Sequence, residues 1–233
     1  LKQIHTRIVY KSPWTLSFRV PSELRLFYEI NNDKYENLKT YGFSHLIYFK
    51  INSDTRYDVR STYEKISTEY EYSSEDTEPV RSIEFSYTIN KINNIIIPSD
   101  GYYLRLSSTL FGTFLGGERN FFQVNNEFRK YFPIRSRNIL AFRYKMGYIY
   151  NINKTEDLPF YYKYKLGGQS SLRGWLNTEQ YDDSEGKLIY DMVNLEYRFS
   201  LYKKWGGGLF IDTGRLYNQI NDYLDINLSW NYG

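Results

Sequence analysis

The sequence predicts an all-β fold, an antiparallel β-barrel whose strands cross a membrane. Three observations predict it. Apolar and polar residues alternate with period two along segment after segment. Tyrosine is abundant: 26 Tyr and 15 Phe contribute to an aromatic content of 19%. The connections between segments alternate between short and long. Tyrosine is amphipathic and settles where apolar surface meets water, and membrane barrels carry girdles of it at both rims. Mean hydropathy is −0.61, and no run approaches the ~18 consecutive apolar residues of a membrane-spanning helix. Composition alone leaves a soluble, tyrosine-rich β-sandwich or β-helix as open as a barrel.

The alternation decides between them. In order, the candidate strands are Ile4–Lys11, Leu24–Ile30, Tyr41–Lys50, Tyr57–Tyr72, Ser82–Asn90, Tyr102–Phe114, Phe121–Tyr131, Leu140–Tyr150, Met192–Leu201, Gly207–Gly214 and Ile226–Gly233. A strand sends successive side chains to opposite faces, so a period of two separates two surfaces. In Ser82–Asn90, Ile83, Phe85, Tyr87 and Ile89 oppose Ser82, Glu84, Ser86, Thr88 and Asn90. In Leu140–Tyr150, Leu140, Phe142, Tyr144, Met146 and Tyr148 oppose Ala141, Arg143, Lys145 and Gly147. In Met192–Leu201, Val193, Leu195, Tyr197, Phe199 and Leu201 oppose Asn194, Glu196, Arg198 and Ser200. Ile226, Leu228, Trp230 and Tyr232 oppose Asn227, Ser229, Asn231 and Gly233. Sandwiches show Gly/Pro-rich tight turns at regular spacing, and few occur here. A lipid-facing apolar band around a polar lumen accounts for the pattern more simply.

Membrane barrels keep short turns on one side and long loops on the other. Ser12-Pro13-Trp14, Asn52-Ser53-Asp54, Pro133–Arg137 and Lys203-Lys204-Trp205 are short. Asn31–Thr40, Ser73–Val80 and above all Asn151–Lys187 are long and more charged. Asn90–Gly101 falls on the short side and runs long. No repeat, charge block or low-complexity segment suggests a second domain, so residues 1–233 are expected to form one barrel domain, with 151–187 as its long outer loop.

Several functions are excluded. No cysteine is present, which removes disulfides, Cys-ligated zinc and thiol nucleophiles. The two histidines, His5 and His45, lie at least two strands apart, and no serine sits in a nucleophile motif beside a base. No enzyme activity, metal or cofactor is expected. A net charge of +3, from 30 basic and 27 acidic residues, lacks the concentrated basic excess of a nucleic-acid binder. The chain opens Leu1-Lys2-Gln3 without the signal segment that export needs, so it is expected to be a mature, cut or partial chain.

Two segments depart from plain strand and turn. Leu166-Gly167-Gly168-Gln169-Ser170-Ser171-Leu172-Arg173-Gly174-Trp175 lies in the longest loop. Its glycines permit positive φ and close backbone approach, and Arg173 offers five donors in a fixed fork. The bland alternative is an ordinary surface loop, where Gly and Ser are common. The other is Asn90–Leu104, with the turn signal Pro98-Ser99-Asp100-Gly101.

These segments resemble the BamA superfamily of outer-membrane barrels, which includes TamA and the two-partner secretion pores. Gly167-Gly168 followed by Leu172-Arg173-Gly174-Trp175 resembles the family's inward-folded loop. Asn90-Lys91-Ile92 with Pro98-Ser99-Asp100-Gly101-Tyr102 is similar to its Asn-(Lys/Arg)-(Leu/Ile)…Pro-x-(Asp/Lys)-Gly signature. Ser12-Pro13-Trp14 resembles its Asn-Pro-aromatic turn. Leu195-Glu196-Tyr197-Arg198 and Phe210-Ile211-Asp212-Thr213-Gly214 resemble the two strands after the loop. All five occur in the family's order.

The resemblance implies about strands four to fourteen of a sixteen-stranded barrel, with the first three strands, the last two and the periplasmic POTRA domains outside these residues. It implies a loop arginine, Arg173, folded into the lumen. Strand parity independently puts Glu196 on a polar face and Asp212 on one face with Phe210 and Gly214, so a guanidinium could pair both carboxylates and lie over Phe210. The function implied is a BamA-like factor that folds and inserts β-barrel proteins. The alternatives are a TamA-like or two-partner secretion pore and, from another class, a passive porin. The implied partners are outer-membrane lipids and lipopolysaccharide, unfolded β-barrel clients, accessory lipoproteins and periplasmic chaperones, with no nucleic acid.

Overall fold

The computed structural model describes residues 2–15, 17–32, 37–69, 76–135, 137–153, 157–168, 170–173, 186–202, 205–220, 222 and 229–232. Eleven antiparallel strands follow one another in sheet order as they do in sequence. They are β1 (Lys2–Ser12), β2 (Ser22–Asn32), β3 (Asn37–Lys50), β4 (Thr55–Glu69), β5 (Asp76–Asn90), β6 (Gly101–Phe111), β7 (Phe121–Arg135), β8 (Asn138–Asn151), β9 (Ile189–Tyr202), β10 (Trp205–Tyr217) and β11 (Ser229–Tyr232). Each overlaps one of the eleven segments expected from alternation.

Several boundaries differ from the sequence expectation: β3 begins at Asn37 and β5 at Asp76, inside the expected loops Asn31–Thr40 and Ser73–Val80, because strand pairing carries on past the residues that alternate cleanly. Strand β6 ends at Phe111, and a 3-10 turn takes Thr113–Leu115 between Gly112 (φ +66°) and Gly116 (φ +77°). Alternation of bulky residues runs on to Phe114, but glycines on both sides let the backbone turn away. Strand β7 runs through Pro133 to Arg135, so the β7–β8 turn is shorter than expected.

The chain divides into two compact units. One comprises Leu1–Ser86, Ser108–Phe122 and Asn151–Lys154; the other comprises Tyr87–Ser107, Gln123–Tyr150 and Thr155–Gly233. In both, burial is inverted relative to a soluble sheet. Ser86 and Thr88 are buried (5% and 7% exposed), whereas Phe85 between strand neighbours is 59% exposed. Ser44, Asp58 and Ser67 are buried while Phe43, Phe49 and Tyr57 are exposed. Water would penalise that arrangement; lipid against the apolar face favours it. Several of the buried polar groups are paired. In the first unit Arg56 lies 3.1 Å from Asp58, Ser86 Oγ donates to Asp58 at 3.4 Å, and Arg119 Nε donates to Glu78 at 3.2 Å.

In the second unit β8, β9 and β10 hold three residues abreast on the polar face. Directly paired residues share a face, so the registers form four rows: Ala141–Glu196–Phe210, Arg143–Asn194–Asp212, Lys145–Met192–Gly214 and Gly147–Tyr190–Leu216. This face carries the site described below.

The same unit holds the β5–β6 turn. Asn93 Oδ1 accepts from the Ser99 and Asp100 amides, Asn93 Nδ2 donates to Ser99 Oγ at 2.7 Å, and Asp100 Oδ1 accepts from the Gly101 amide at 2.7 Å. Gly101 has φ +101°, and a Cβ there would lie 1.9 Å from the Lys91 carbonyl oxygen. Gly101→Ala is therefore expected to cost more than the ~1–3 kcal/mol of a strained φ alone. A lowered Tm in the G101A protein checks this; an unchanged Tm would contradict it.

Candidate functional site: a loop clasped to the polar face

The loop after β8 lies along the four rows, with Tyr164 against Gly147, Leu166 against Gly214, and Arg173 against Asp212 and Phe210. Its turn is built by two residues that only glycine suits well. Gly167 and Gly168 have φ of +131° and +79°, and the Gly168 carbonyl accepts from the Ser171 amide at 3.0 Å. The turn reverses the chain so that Leu172 and Arg173 return to the sheet.

Arg173 uses its whole fork. Nε and Nη2 donate to the two oxygens of Asp212 at 2.9 and 2.8 Å, Nη1 donates to Glu196 Oε2, and its main-chain N–H donates to Asp212 at 3.1 Å. The guanidinium carbon lies 3.9 Å from the Phe210 ring centroid. Asp212 is fully buried and Glu196 partly so. Charge-assisted, bidentate bonds in a shielded place are the strong kind. Hydrogen bonding to Asp212 raises the Arg173 pKa against a smaller desolvation effect, so the group stays cationic. Main-chain carbonyls of the loop are held too. Asn194 Nδ2 donates to Ser171 O at 2.9 Å and Arg143 Nη1 to Ser170 O at 3.0 Å.

An apolar patch supports the clasp. Leu166, Leu172, Met192 and Leu216 form a buried cluster with Tyr164 and Tyr190 packed against it. Met192, Tyr190 and Leu216 belong to the face that otherwise carries Asn194, Glu196 and Asp212. Gly214 is what lets Leu166 approach, since a Cβ there would lie 3.1 Å from Leu166 Cδ1. The Tyr164 hydroxyl donates to Asn125 Oδ1 at 2.8 Å and accepts from Gln123 Nε2 at 3.0 Å. Burial pushes that phenol's pKa up, so it remains neutral. Leu172 is fully buried, and Leu172→Ala is expected to weaken loop docking by about 2–5 kcal/mol. Faster protease cleavage within the loop at unchanged strand content would show it.

The sequence matches the Omp85 superfamily domain over residues 2–228. The chain belongs to the Omp85 superfamily. Its fold is similar to that of BamA from Haemophilus ducreyi lacking POTRA domains 1–3, with a TM-score of 0.82 at 18% sequence identity. That match covers 96% of this chain and 51% of the other, so the chain spans about half the length of the structure it matches. No curated protein matches the sequence. Family membership and the inverted burial together make this an outer-membrane β-barrel protein.

Within this Omp85 chain, Gly167, Gly168, Leu172, Arg173, Glu196, Phe210, Asp212 and Gly214 come together in one constellation. Gly174 and Trp175 lie outside the described residues. The Asn90–Gly101 motif is linked to it through Arg198, whose Nε donates to Glu196 Oε1 at 2.7 Å and whose Nη1 reaches Pro98 O at 3.4 Å. Asn90 Oδ1 and Asp100 Oδ1 accept main-chain bonds within that turn. Pro13 and Trp14 belong to the first unit's β1–β2 turn, where Ser12 Oγ accepts from the Trp14 amide and Arg19 lies 5.1 Å from the Trp14 ring centroid. Their contacts are local.

Sequence reasoning missed Tyr164, Gly147, Asn194, Arg143 and the Met192–Leu216 patch. Two signals were available. Asn194 shares parity with Glu196, and Met192 is an apolar residue at a polar-phase position. Nothing in the sequence marks Tyr164 among its neighbouring tyrosines.

Proposed function

We propose that this Omp85 chain forms part of a BamA-like assembly factor that folds and inserts β-barrel proteins into the outer membrane. The observation supporting it is the Arg173 clasp, which ties one loop to two adjacent strands, β9 and β10, through Glu196 and Asp212. Such a brace stiffens one stretch of wall along its strand rows. Stiffness there suits a barrel that must open elsewhere without collapsing. Opening would expose a strand edge, whose unpaired N–H and C=O groups template an incoming client strand by β-augmentation. Local bilayer thinning would lower the barrier to insertion. The work is noncovalent. Unfolded β-barrel clients, outer-membrane lipids and lipopolysaccharide are the partners this mechanism needs; accessory lipoproteins and chaperones would deliver the clients.

The test is client folding in vesicles that contain the full-length protein, read by heat-modifiable gel mobility of the client. Wild type should accelerate folding, and R173A should lower that acceleration. Translocation of a soluble passenger without client folding would point to a TamA-like or two-partner secretion pore. Large, steady conductance that survives deletion of the loop would make it a porin.

A further inference from the structure

On the outward face of the second unit, two ammonium groups converge on one tyrosine ring. Tyr102 stands at the start of β6, directly after the Asn90–Gly101 turn. Lys91 Nζ lies 5.8 Å from the Tyr102 ring centroid, and Lys130 Nζ lies 5.9 Å from it. Lys130 Nζ is also 5.3 Å from the ring centroid of the exposed Phe132. Strand parity fixes the face. Arg129 and Tyr131 line a cavity on the polar side with Arg143 and Glu196, and Tyr103 lies under Arg129, so Lys130, Phe132 and Tyr102 point the other way, toward lipid.

This place is short of counter-charge. Strands β6, β7 and β8 contain a single carboxylate, Glu127, and it faces inward, accepting from Arg129 Nε at 2.7 Å and Arg143 Nε at 2.8 Å. In the neighbouring turn, Asp100 Oδ1 accepts from the Gly101 amide. Among the described residues neither Lys91 nor Lys130 has an ion pair. A ring face attracts a cation but cancels none of its charge, so the two ammonium groups repel each other until an anion joins them. The level of the site names that anion. Short turns mark the periplasmic side of a membrane barrel; here β7 passes from Arg135 to β8 at Asn138, whereas the long loop leaves β8 from its other end. Aromatic residues at strand ends form the girdle at headgroup level, and lysine stems lie along it with their charge at the interface. The groups that meet Lys91 and Lys130 there are phospholipid phosphates. A headgroup with its own ammonium brings a third cation to the ring, whereas one that ends in neutral hydroxyls does not.

We propose that Lys91, Lys130 and Tyr102 form a binding site for the phosphate of an anionic phospholipid, phosphatidylglycerol, in the periplasmic leaflet. The lysines supply the charge, and the Tyr102 hydroxyl is a further donor at the same level. Phosphatidylethanolamine is disfavoured by its ammonium. The inference rests on the outer-membrane location and goes beyond the assembly reading, so either can fail without the other.

The experiment is native mass spectrometry of the full-length protein in nonionic detergent after incubation with equimolar phosphatidylglycerol and phosphatidylethanolamine. Wild type should retain phosphatidylglycerol at least about tenfold over phosphatidylethanolamine. K91Q and K130Q should each lower that preference by about fivefold, the ~1 kcal/mol of one cation at an anionic membrane surface, and K91Q/K130Q should erase it. K130R keeps the charge and should keep the preference. K145Q removes a cation from the inward face, where Lys145 stands opposite Met192, and should leave the preference unchanged. Heat-modifiable mobility shows that each variant is folded. Equal retention of the two lipids, an unchanged preference in K91Q/K130Q, or an equal loss in K145Q would overturn the proposal. So would displacement of the lipid by equimolar glycerol 3-phosphate, which would make this a site for free phosphate. A protein that keeps the preference yet folds no clients retains this site and removes the assembly reading. One that folds clients and shows no preference does the reverse.

Discussion

Replacing Arg173 with alanine is expected to undock the loop, at a cost of about 3–5 kcal/mol. Asp212 is fully buried and accepts from Arg173 through Nε, Nη2 and the main-chain N–H. The substitution leaves it neutral donors, the Arg173 main-chain N–H and the Asn194 amide, but no cation. A buried carboxylate stripped of its cation carries nearly its whole desolvation penalty, whereas an exposed ion pair is worth about 0–1 kcal/mol. The stacking on Phe210 is lost in the same step, adding about 0.5–2 kcal/mol. R173K should be intermediate, because an ammonium cannot fork to Asp212 and Glu196 in one plane. The double variant R173A/D212A should be less damaged than R173A, since it removes the stranded charge along with the cation. Loop protease sensitivity and the temperature at which heat-modifiable mobility is lost measure all three. If R173A kept wild-type values in both assays, the clasp would carry no load.

Gly147→Val is expected to detach the other end of the loop. A Cβ at Gly147 would lie 2.3 Å from Tyr190 Cε1 and 2.5 Å from Tyr164 Cζ. Neither ring can retreat, because the two pack at 4.6 Å between centroids and the Tyr164 hydroxyl is bonded to Asn125 and Gln123. Overpacking costs about 1–3 kcal/mol, and the stranded polar groups add about as much again. Removing the Tyr164 ring relieves one of the two clashes, so G147V/Y164A should lose less stability than G147V and Y164A added together. Strict additivity in thermal unfolding would mean that Gly147 and Tyr164 do not meet as described.

The face that each strand residue takes was legible in the sequence, because a period of two needs no tertiary information. Phe85 against Ser86 and Leu195 against Glu196 follow from alternation alone. So does the shared face of Phe210, Asp212 and Gly214. The clasp was half legible for the same reason. Parity placed Glu196 and Asp212 on candidate polar faces, and the glycines flanking Arg173 marked it as a residue presented at a turn.

Sequence by itself determined which residues could meet; the tertiary structure decided which do. Strand register sets Asn194 opposite Asp212 and Arg143 opposite Asn194, and a slip of one residue would have sent each to the other face. The path of the loop chose Tyr164 from several adjacent tyrosines, because only there does Gly147 leave space for a ring. Met192 and Leu216 were invisible as partners of Leu166 and Leu172 for a related reason. An apolar residue on a polar face has no local explanation until another segment covers it, and that cover arrives from a distant part of the chain.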